Sequence, residues 1–502
     1  MKALFVQRAL GQEMLGLMYL SRALRNSGHE TKCLFLPTTG NLLHEIDRFS
    51  PDLLCYGTTT GLHRYYMEVN RYIRRHRKIF SVFGGMHPTF QPEEMIQDDA
   101  IDAVCVGEGE LALVELANRL QARESVADVQ NFFVKEGGTI HRNPVRPLIQ
   151  DLDGIGFPDR ELIYANKLYA NSPMKVFITS RGCVGRCSYC FHSGYGMLYD
   201  NGPGRYLRRR SVEHMIAEID DVRRNYPLEF VHLTDDMFNF NRAWQEDFLR
   251  QYKRDINLPF SAIFMIDWTE PDLLALYKEA GCVNIRIAFE TASDDIKKEL
   301  DRPKDSPTAK QLGAAQRIKD AGIRLTTLNM VGMPGGSLEN ELGTLEMNLQ
   351  ARPDQVLVNF IHPYPGTGLD AVLKAHGVGR KSYDEYDARA TRFSPIDLEN
   401  KEAVENIHHL FPLLVRFPEI MRIAPRLIRS KGTLARKLYL LFYGLMMDFQ
   451  VAELVHMGKR RHAKRSSLVR LLGARLRARV EAVVRESIFA RRNPIRSANT
   501  AS

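Results

Sequence analysis

Three cysteines lie within eight residues of the chain, at Cys183, Cys187 and Cys190, inside the stretch "SRGCVGRCSYCFHSGYG" (180–196). The chain has 502 residues, seven cysteines and no secretory pattern in its opening "MKALFVQRAL". We therefore expect a reducing cytoplasm, where clustered thiols indicate metal binding more often than disulfides. A structural zinc site needs a fourth ligand, for which His192 is the candidate. An iron–sulfur cluster held by three thiolates would instead keep one iron open for a cosubstrate.

The cysteines follow the first of six predicted strands that alternate with helical patterns over residues 175–370. These strands are 176–180, 230–233, 261–266, 284–289, 325–330 and 355–360. The alternation predicts a partial (β/α)6 barrel of the TIM type. Active sites of such barrels form at the carboxyl ends of the strands, which is where the cysteines lie.

A separate series of strands and helices occupies residues 1–125. The predicted strands are 3–6, 31–36, 53–56, 79–83 and 103–106, with helices over 14–26 and 63–75. The pattern predicts a flavodoxin-like or Rossmann-like parallel sheet. Its strands end in the loops "YGTTTG" (56–61), "FGGMHPT" (83–89) and "VGEGE" (106–110), the edge at which such sheets bind ligands. Residues 126–174, rich in Pro and Gly, are predicted to be a connector.

Cys-x-x-x-Cys-x-x-Cys after a first barrel strand resembles the radical S-adenosylmethionine (SAM) superfamily, over residues 175–370. The resemblance implies that the three cysteines hold a [4Fe-4S] cluster. The open iron would chelate SAM, and an electron from an external flavodoxin or ferredoxin would yield a 5′-deoxyadenosyl radical. The cofactors carry this chemistry, and the protein holds them in register.

Further segments resemble that family in order. Tyr189 would lie against the adenine, Asp235 and Asp236 in "VHLTDDMF" would receive the methionine amine, and Glu290 in "IRIAFETAS" would bind the ribose. Gly332 and Pro334 belong to a loop that would pass close to SAM. The paired Asp residues are also compatible with a helix N-cap. One departure is Met265, in the third strand, where relatives often carry Arg.

Residues 1–125 resemble the cobalamin-binding domain that is fused to many radical SAM enzymes. The candidate cobalamin residues are Gly57, Thr59, Thr60, Gly84, Gly85, Met86, His87, Gly107 and Glu108. Small residues there would let a flat corrin approach the sheet edge. The Asp-x-His-x-x-Gly motif of cobalamin mutases is absent after the first strand, so a cobalt ligated by His is not supported. We expect His87 to cap or pack. A dinucleotide site is disfavoured, because G-x-G-x-x-G is missing after that strand.

The net charge of +9 comes from the C-terminal end, since residues 421–502 hold 19 Lys or Arg and 4 Asp or Glu. Residues 371–502 are predicted to form a basic helical region. Its apolar run, Leu438–Met447, is too short to span a bilayer. The run suits either a helix on an anionic membrane surface or a helix packed on the barrel. No RNA-binding signature accompanies the charge, so we expect no nucleic-acid partner.

The sequence therefore predicts an α/β enzyme with four parts: a cobalamin domain (1–125), a connector (126–174), a radical SAM partial barrel (175–370) and a helical C-terminal region (371–502). The resemblance implies methylation of an unactivated carbon or phosphorus of a small-molecule or lipid-like substrate. Cyclisation or ring rearrangement stays open within the same family. So does tRNA methylthiolation, for which Cys33, Cys55 and Cys105 would supply a second cluster. A cobalamin- or light-sensing module would not need the cysteine motif.

Overall fold

The structure is a computed structural model that describes residues 1–8, 13–37, 41–200, 204–266, 268–302, 306–386 and 391–456. These residues form two compact units. The first contains residues 1–172 and 195–208, and the second contains residues 173–194 and 209–456. Asp267 and residues 457–502, which include most of the predicted basic end, lie outside the described residues.

The first unit is built on a seven-stranded sheet in the order β2-β1-β3-β4-β5-β6-β7. Its strands are β1 (Lys2–Arg8), β2 (Glu30–Leu36), β3 (Leu53–Gly57), β4 (Phe80–Gly84), β5 (Ala103–Cys105), β6 (Phe132–Glu136) and β7 (Thr139–Arg142). The helices are α1 (Leu15–Asn26), α2 (Leu42–Phe49), α3 (His63–His76), α4 (Met86–Phe90), α5 (Pro92–Ile96), α6 (Glu110–Ala122), α7 (Arg160–Tyr164) and α8 (Lys167–Ala170). Strands β1 to β5 are parallel, as predicted, and most of their residues are buried.

The segment 126–174 differs from the predicted connector. Strands β6 and β7 form a hairpin that extends the sheet antiparallel to β5. Its turn is Gly137-Gly138, both with positive φ (60° and 79°), a conformation that a two-residue hairpin turn requires. Phe132 and Val134 are fully buried, so the strand pattern was present in "FFVKEGGTIHR" beside the more obvious prolines.

The second unit contains a six-stranded parallel sheet in the order β8-β11-β12-β13-β14-β15, which confirms the predicted partial barrel. Its strands are β8 (Met174–Phe177), β11 (Phe230–Leu233), β12 (Phe260–Phe264), β13 (Cys282–Glu290), β14 (Arg324–Val331) and β15 (Gln355–Phe360). Two short strands, β9 (Ser180–Arg181) and β10 (Arg208–Arg209), come between β8 and β11 in the chain. The helices are α9 (Phe191–Met197), α10 (Val212–Asn225), α11 (Arg242–Asp255), α12 (Pro271–Glu279), α13 (Asp294–Glu299), α14 (Thr308–Asp320) and α15 (Leu338–Ala351).

The C-terminal region is helical, with α16 (Leu369–Ala375), α17 (Lys401–Arg416), α18 (Ala424–Ile428) and α19 (Thr433–His456). Helices α17 and α19 share an apolar core with the last strands of the barrel. In that core the Tyr443 hydroxyl donates to the Val358 carbonyl at 3.2 Å. Within the described ranges, no helix is both long and apolar enough to cross a membrane.

Candidate active site and cobalamin site

The loop after β8 brings the three cysteines of the motif together. Cys187 is buried, and Cys183 and Cys190 are half-buried. The Gly185 amide donates to the Cys183 sulfur at 3.3 Å. A Cβ on Gly185 would lie 3.6 Å from the sulfur atoms of both Cys183 and Cys187, so two thiols flank this glycine.

Burial raises the pKa of the Cys183 thiol and raises that of Cys190 to about 12, and the neighbouring thiols add to both shifts. Thiols in such surroundings lose their protons when a metal binds. No three His, Cys, Asp or Glu side chains among the described residues are grouped closely enough to hold a single ion. In a [4Fe-4S] cluster each thiolate binds a different iron, so the sulfur atoms need not meet at one point. The three thiols on one loop fit such a cluster.

Asp235 and Asp236 follow β11 but have different surroundings. The Asp235 Oδ1 accepts from the Thr179 amide (2.9 Å), the Thr179 hydroxyl (2.7 Å) and the Ser180 hydroxyl (2.5 Å), which ties the end of β11 to the start of the cysteine loop. Burial raises the Asp235 pKa, while these bonds oppose the shift. Its Oδ2 is buried without a hydrogen-bond partner in the described structure, so it stays available to a ligand ammonium.

Asp236 is more exposed and lies on the thiol side of the loop. Its Oδ2 is 2.9 Å from Nε2 of His192, which follows the third cysteine. Its carboxylate also contributes to the raised thiol pKa values at Cys183 and Cys190. His192 therefore contacts a carboxylate, whereas the sequence also offered it as the fourth ligand of a zinc site.

Tyr189, in the cysteine loop, and Glu290, at the end of β13, are in direct contact. The Tyr189 hydroxyl donates to Glu290 Oε1 at 3.3 Å. Arg302, a residue that sequence reasoning did not single out, donates to the Tyr189 hydroxyl at 2.8 Å and lies 3.5 Å from Glu290 Oε1. Burial raises the Glu290 pKa, and the Arg302 charge opposes that shift.

The backbone at Glu290 has an unusual conformation. Its φ is +63°, in the left-handed region that costs a non-glycine residue about 1–2 kcal/mol. The register of β13 against β14 shifts at the same point, so that Phe289 forms a bulge. Strain that persists beside a buried, ion-paired carboxylate is typical of binding sites. The bulge and φ re-aim Glu290 at the carboxyl end of the barrel strand.

The loop after β14 contains Gly332, whose φ is +80°, and Pro334. The amides of Gly332 and Met333 both donate to Oε1 of Glu341 on α15, at 2.8 Å and 3.3 Å. Glu341 is buried, and burial raises its pKa to about 7. The sequence did not single out Glu341, whose only signal is an acidic residue at a buried helix position. Through these two hydrogen bonds Glu341 fixes the loop after β14 to α15.

Glu341 should make stability pH-dependent. Its folded pKa is above the unfolded value near 4.5, so the folded chain holds the extra proton between about pH 4.5 and pH 7. The free energy of unfolding should therefore fall as pH rises through that window, by up to about 1.4 kcal/mol per pH unit. Urea unfolding across that window measures the slope. Glu341→Gln keeps the acceptor oxygen but cannot titrate, so it should flatten this slope. Glu339→Gln makes the same change at an exposed position of the same helix and should leave the slope unchanged. Equal slopes in wild type and Glu341→Gln would contradict the assignment.

In the first unit, the loops after β3, β4 and β5 carry the candidate cobalamin residues. Thr59 and Gly85 are exposed at the carboxyl ends of β3 and β4, and Met86 is half-buried at the start of α4. These exposed small positions fit a flat ligand at the sheet edge. At Gly57, an added Cβ would lie 2.8 Å from the Leu17 side chain of α1.

His87 is buried, as its expected packing role requires. Its Nδ1 lies 3.0 Å from the Thr60 hydroxyl, and its ring stacks on His63 with the centroids 3.7 Å apart. His63 was missed because a single His at the start of α3 reads as an ordinary helix residue. The stacked pair connects α3 to α4, and the Thr60 contact connects the loop after β3 to α4.

Gly107 and Glu108 are covered by the segment 195–208, which belongs to the first unit although it follows the cysteine loop. A Cβ on Gly107 would collide with the Tyr199 hydroxyl, and the Glu108 amide donates to that hydroxyl at 3.1 Å. The Glu108 carboxylate pairs with Arg208 at 2.9 Å. No sequence signal linked these residues, which are about 90 positions apart or more.

The contact of Gly85 with the β3 loop can be tested directly. A Cβ on Gly85 would lie 2.6 Å from the Thr58 carbonyl oxygen, and the φ of +103° disfavours any side chain. Gly85→Ala should lower the free energy of unfolding by about 1–3 kcal/mol, as measured by urea denaturation without cobalamin. Gly84→Ala is the matched control, since its Cβ would approach Cys105 no closer than 3.5 Å. Equal losses in the two variants would refute this contact.

Two family models match the chain. The radical SAM superfamily matches residues 177–347, and the B12 binding domain matches residues 1–117. An uncharacterized methyltransferase of Pyrococcus horikoshii is 28% identical over 363 residues, which are 71% of this chain and 77% of that protein.

Solved structures share the fold. TsrM, a radical SAM methyltransferase from Kitasatospora setae solved with tryptophan substrate and a SAM analogue, aligns with a TM-score of 0.61 at 17% identity, over 78% of this chain and 80% of that chain. OxsB, a cobalamin-dependent SAM radical enzyme solved with aqua-cobalamin and SAM, aligns with a TM-score of 0.64 at 14% identity, over 97% and 81%. The chain therefore combines a B12-binding domain with a radical SAM domain and is a radical SAM enzyme whose cofactors are a [4Fe-4S] cluster, SAM and cobalamin.

Proposed function

We propose that this enzyme methylates an unactivated carbon or phosphorus atom of a small-molecule or lipid-like substrate. The observation that carries the proposal is the presence, in one chain, of a three-thiol loop at the first barrel strand and of small, exposed residues at the carboxyl edge of a B12-binding sheet. When bound, the cofactors supply a 5′-deoxyadenosyl radical and a cobalt-borne methyl group.

The residues of this chain then bind and orient. Cys183, Cys187 and Cys190 would hold the cluster, with the Gly185 amide donating to the Cys183 sulfur. An amide donor at a sulfur ligand tunes the reduction potential of a cluster. The first electron would come from an external flavodoxin or ferredoxin.

Around SAM, the proposed roles follow the contacts. The free oxygen of Asp235 would accept from the methionine amine. Tyr189 and Glu290 would bind the adenosine, held in place by Arg302. Glu341 would keep Gly332 and Pro334 in position through its two backbone hydrogen bonds.

The buried state of the other cysteines favours methylation over methylthiolation. Cys33, Cys55 and Cys105 lie within β2, β3 and β5 and are buried. Burial raises the pKa of all three thiols, to about 12 at Cys105. They are parts of the sheet rather than of its ligand-binding loops, which is a poor arrangement for a second cluster.

The test is turnover of the reconstituted chain with cobalamin, a reductant, methyl-deuterated SAM and candidate acceptors. We expect about four irons per chain. We also expect S-adenosylhomocysteine and 5′-deoxyadenosine in equal amounts, and a product that carries the label on carbon or phosphorus. About eight irons with a methylthio product, or a cyclised product without label, would overturn the proposal.

A further inference from the structure

Helix α19 has two faces of different character. Tyr439 and Tyr443 are buried on one face, where their hydroxyls contact the carbonyls of Leu427 and Val358. This face confirms the packing on the barrel that the sequence left open. The apolar residues on the other face are exposed to solvent: Leu434 (73%), Leu438 (44%), Leu441 (49%) and Phe442 (42%).

The exposed residues form a single stripe. They are spaced three or four positions apart, with Phe442 adjacent to Leu441, so they share one side of the helix. Two more exposed apolar side chains, Phe417 and Ile423, precede the helix. Four large apolar residues in one stripe are more than the scattered exposure that soluble surfaces normally show.

The same stretch is strongly basic. Between residues 416 and 442 the exposed charged residues are Arg416, Arg422, Arg426, Arg429, Lys431, Lys437 and a single acid, Glu419. Of the six cations, only Arg416 lies near a carboxylate in the described part of the chain, Glu453 at 3.8 Å. A surface that combines leucines with unpaired cations complements lipid headgroups and acyl chains together.

We propose that the exposed stripe of α19, with its flanking cations, binds the surface of an anionic lipid bilayer. The leucines and Phe442 would enter the headgroup boundary, while the cations pair with anionic headgroups. A second copy of the chain is disfavoured by like-charge repulsion between the two basic surfaces. A nucleic acid would use the cations but would not bury aliphatic leucines. The inference does not depend on which reaction the enzyme catalyses.

The test is co-sedimentation of the full chain with vesicles of phosphatidylglycerol and phosphatidylcholine, compared with phosphatidylcholine alone. We expect binding only to the anionic vesicles, and weaker binding at high salt. The double variant Leu438→Glu/Leu441→Glu should lower the partition coefficient on the order of tenfold or more. Lys431→Glu/Lys437→Glu should lower it on the order of tenfold through charge alone.

Leu168→Glu is the matched control, because Leu168 is also an exposed helical leucine (61%) but lies in the first unit. It should bind vesicles as the wild type does. Since vesicle binding is measured without turnover, its failure would leave the proposed function standing. The inference is overturned if the α19 variants bind as well as the control. It is also overturned if the full chain binds single-stranded RNA but not the anionic vesicles, or if the stripe variants convert a dimer to a monomer in solution.

Discussion

Cys187→Ala should abolish cleavage of SAM to 5′-deoxyadenosine. Cys187 is the most buried of the three thiols in the loop. Its sulfur and that of Cys183 both lie next to Gly185. If the three thiolates are the protein ligands of the cluster, removing one leaves two irons without a protein ligand and the cluster is lost. We expect iron to fall from about four per chain towards zero, together with the visible absorption of the cluster.

Cys282→Ala is the matched control for this prediction. Cys282 is fully buried at the start of β13, and its thiol donates weakly to the Asn284 carbonyl at 3.6 Å. Losing that thiol costs packing but no cluster ligand, so iron content and SAM cleavage should persist. Full iron content in Cys187→Ala would remove the assignment of this loop to the cluster. Retained cobalamin binding in both variants would show that the loss is confined to the cluster.

The barrel strands were predictable because parallel strands buried on both faces read as short apolar runs. Five of the six barrel strands both begin and end within two residues of the predicted bounds, and β11 and β15 match in full. The hairpin β6–β7 was missed because prolines on both sides outweighed the Gly137-Gly138 turn signal. The cysteine spacing was equally legible, since metal ligands on one loop are local in sequence.

Contacts made by the fold between distant residues were not predictable. Arg302 reaches Tyr189 across 113 positions, and Tyr199 reaches Glu108 across 91. The sequence also did not show which atoms a side chain would meet at each glycine: an added Cβ would approach the Leu17 side chain at Gly57 and the Thr58 backbone at Gly85. Periodicity reports which face of an element is buried, but not what it is buried against.

Arg302→Met should give the second large effect, on stability and SAM binding together. The side chains of Arg302 and Glu290 are only 14% and 13% exposed, so the substitution leaves Glu290 as a nearly buried carboxylate without its cation. Removing one partner of such a pair costs about 3–5 kcal/mol of unfolding free energy. Lys298→Met is the control, because it removes a cation from an exposed pair (79% and 94%) that contributes little.

The double variant Arg302→Met/Glu290→Gln separates fold from site. Neutralising Glu290 removes the unpaired charge, so most of the lost unfolding free energy should return. SAM affinity should not return, because Tyr189 and residue 290 would still lack the guanidinium that orients them. We expect SAM affinity, measured by equilibrium binding, to stay on the order of tenfold to a hundredfold below wild type. If stability and SAM affinity recover together, Arg302 only supports the fold. An unpaired carboxylate at this depth should destabilise the fold. If Arg302→Met changes neither the free energy of unfolding nor SAM affinity, the contact among Tyr189, Glu290 and Arg302 therefore has no role.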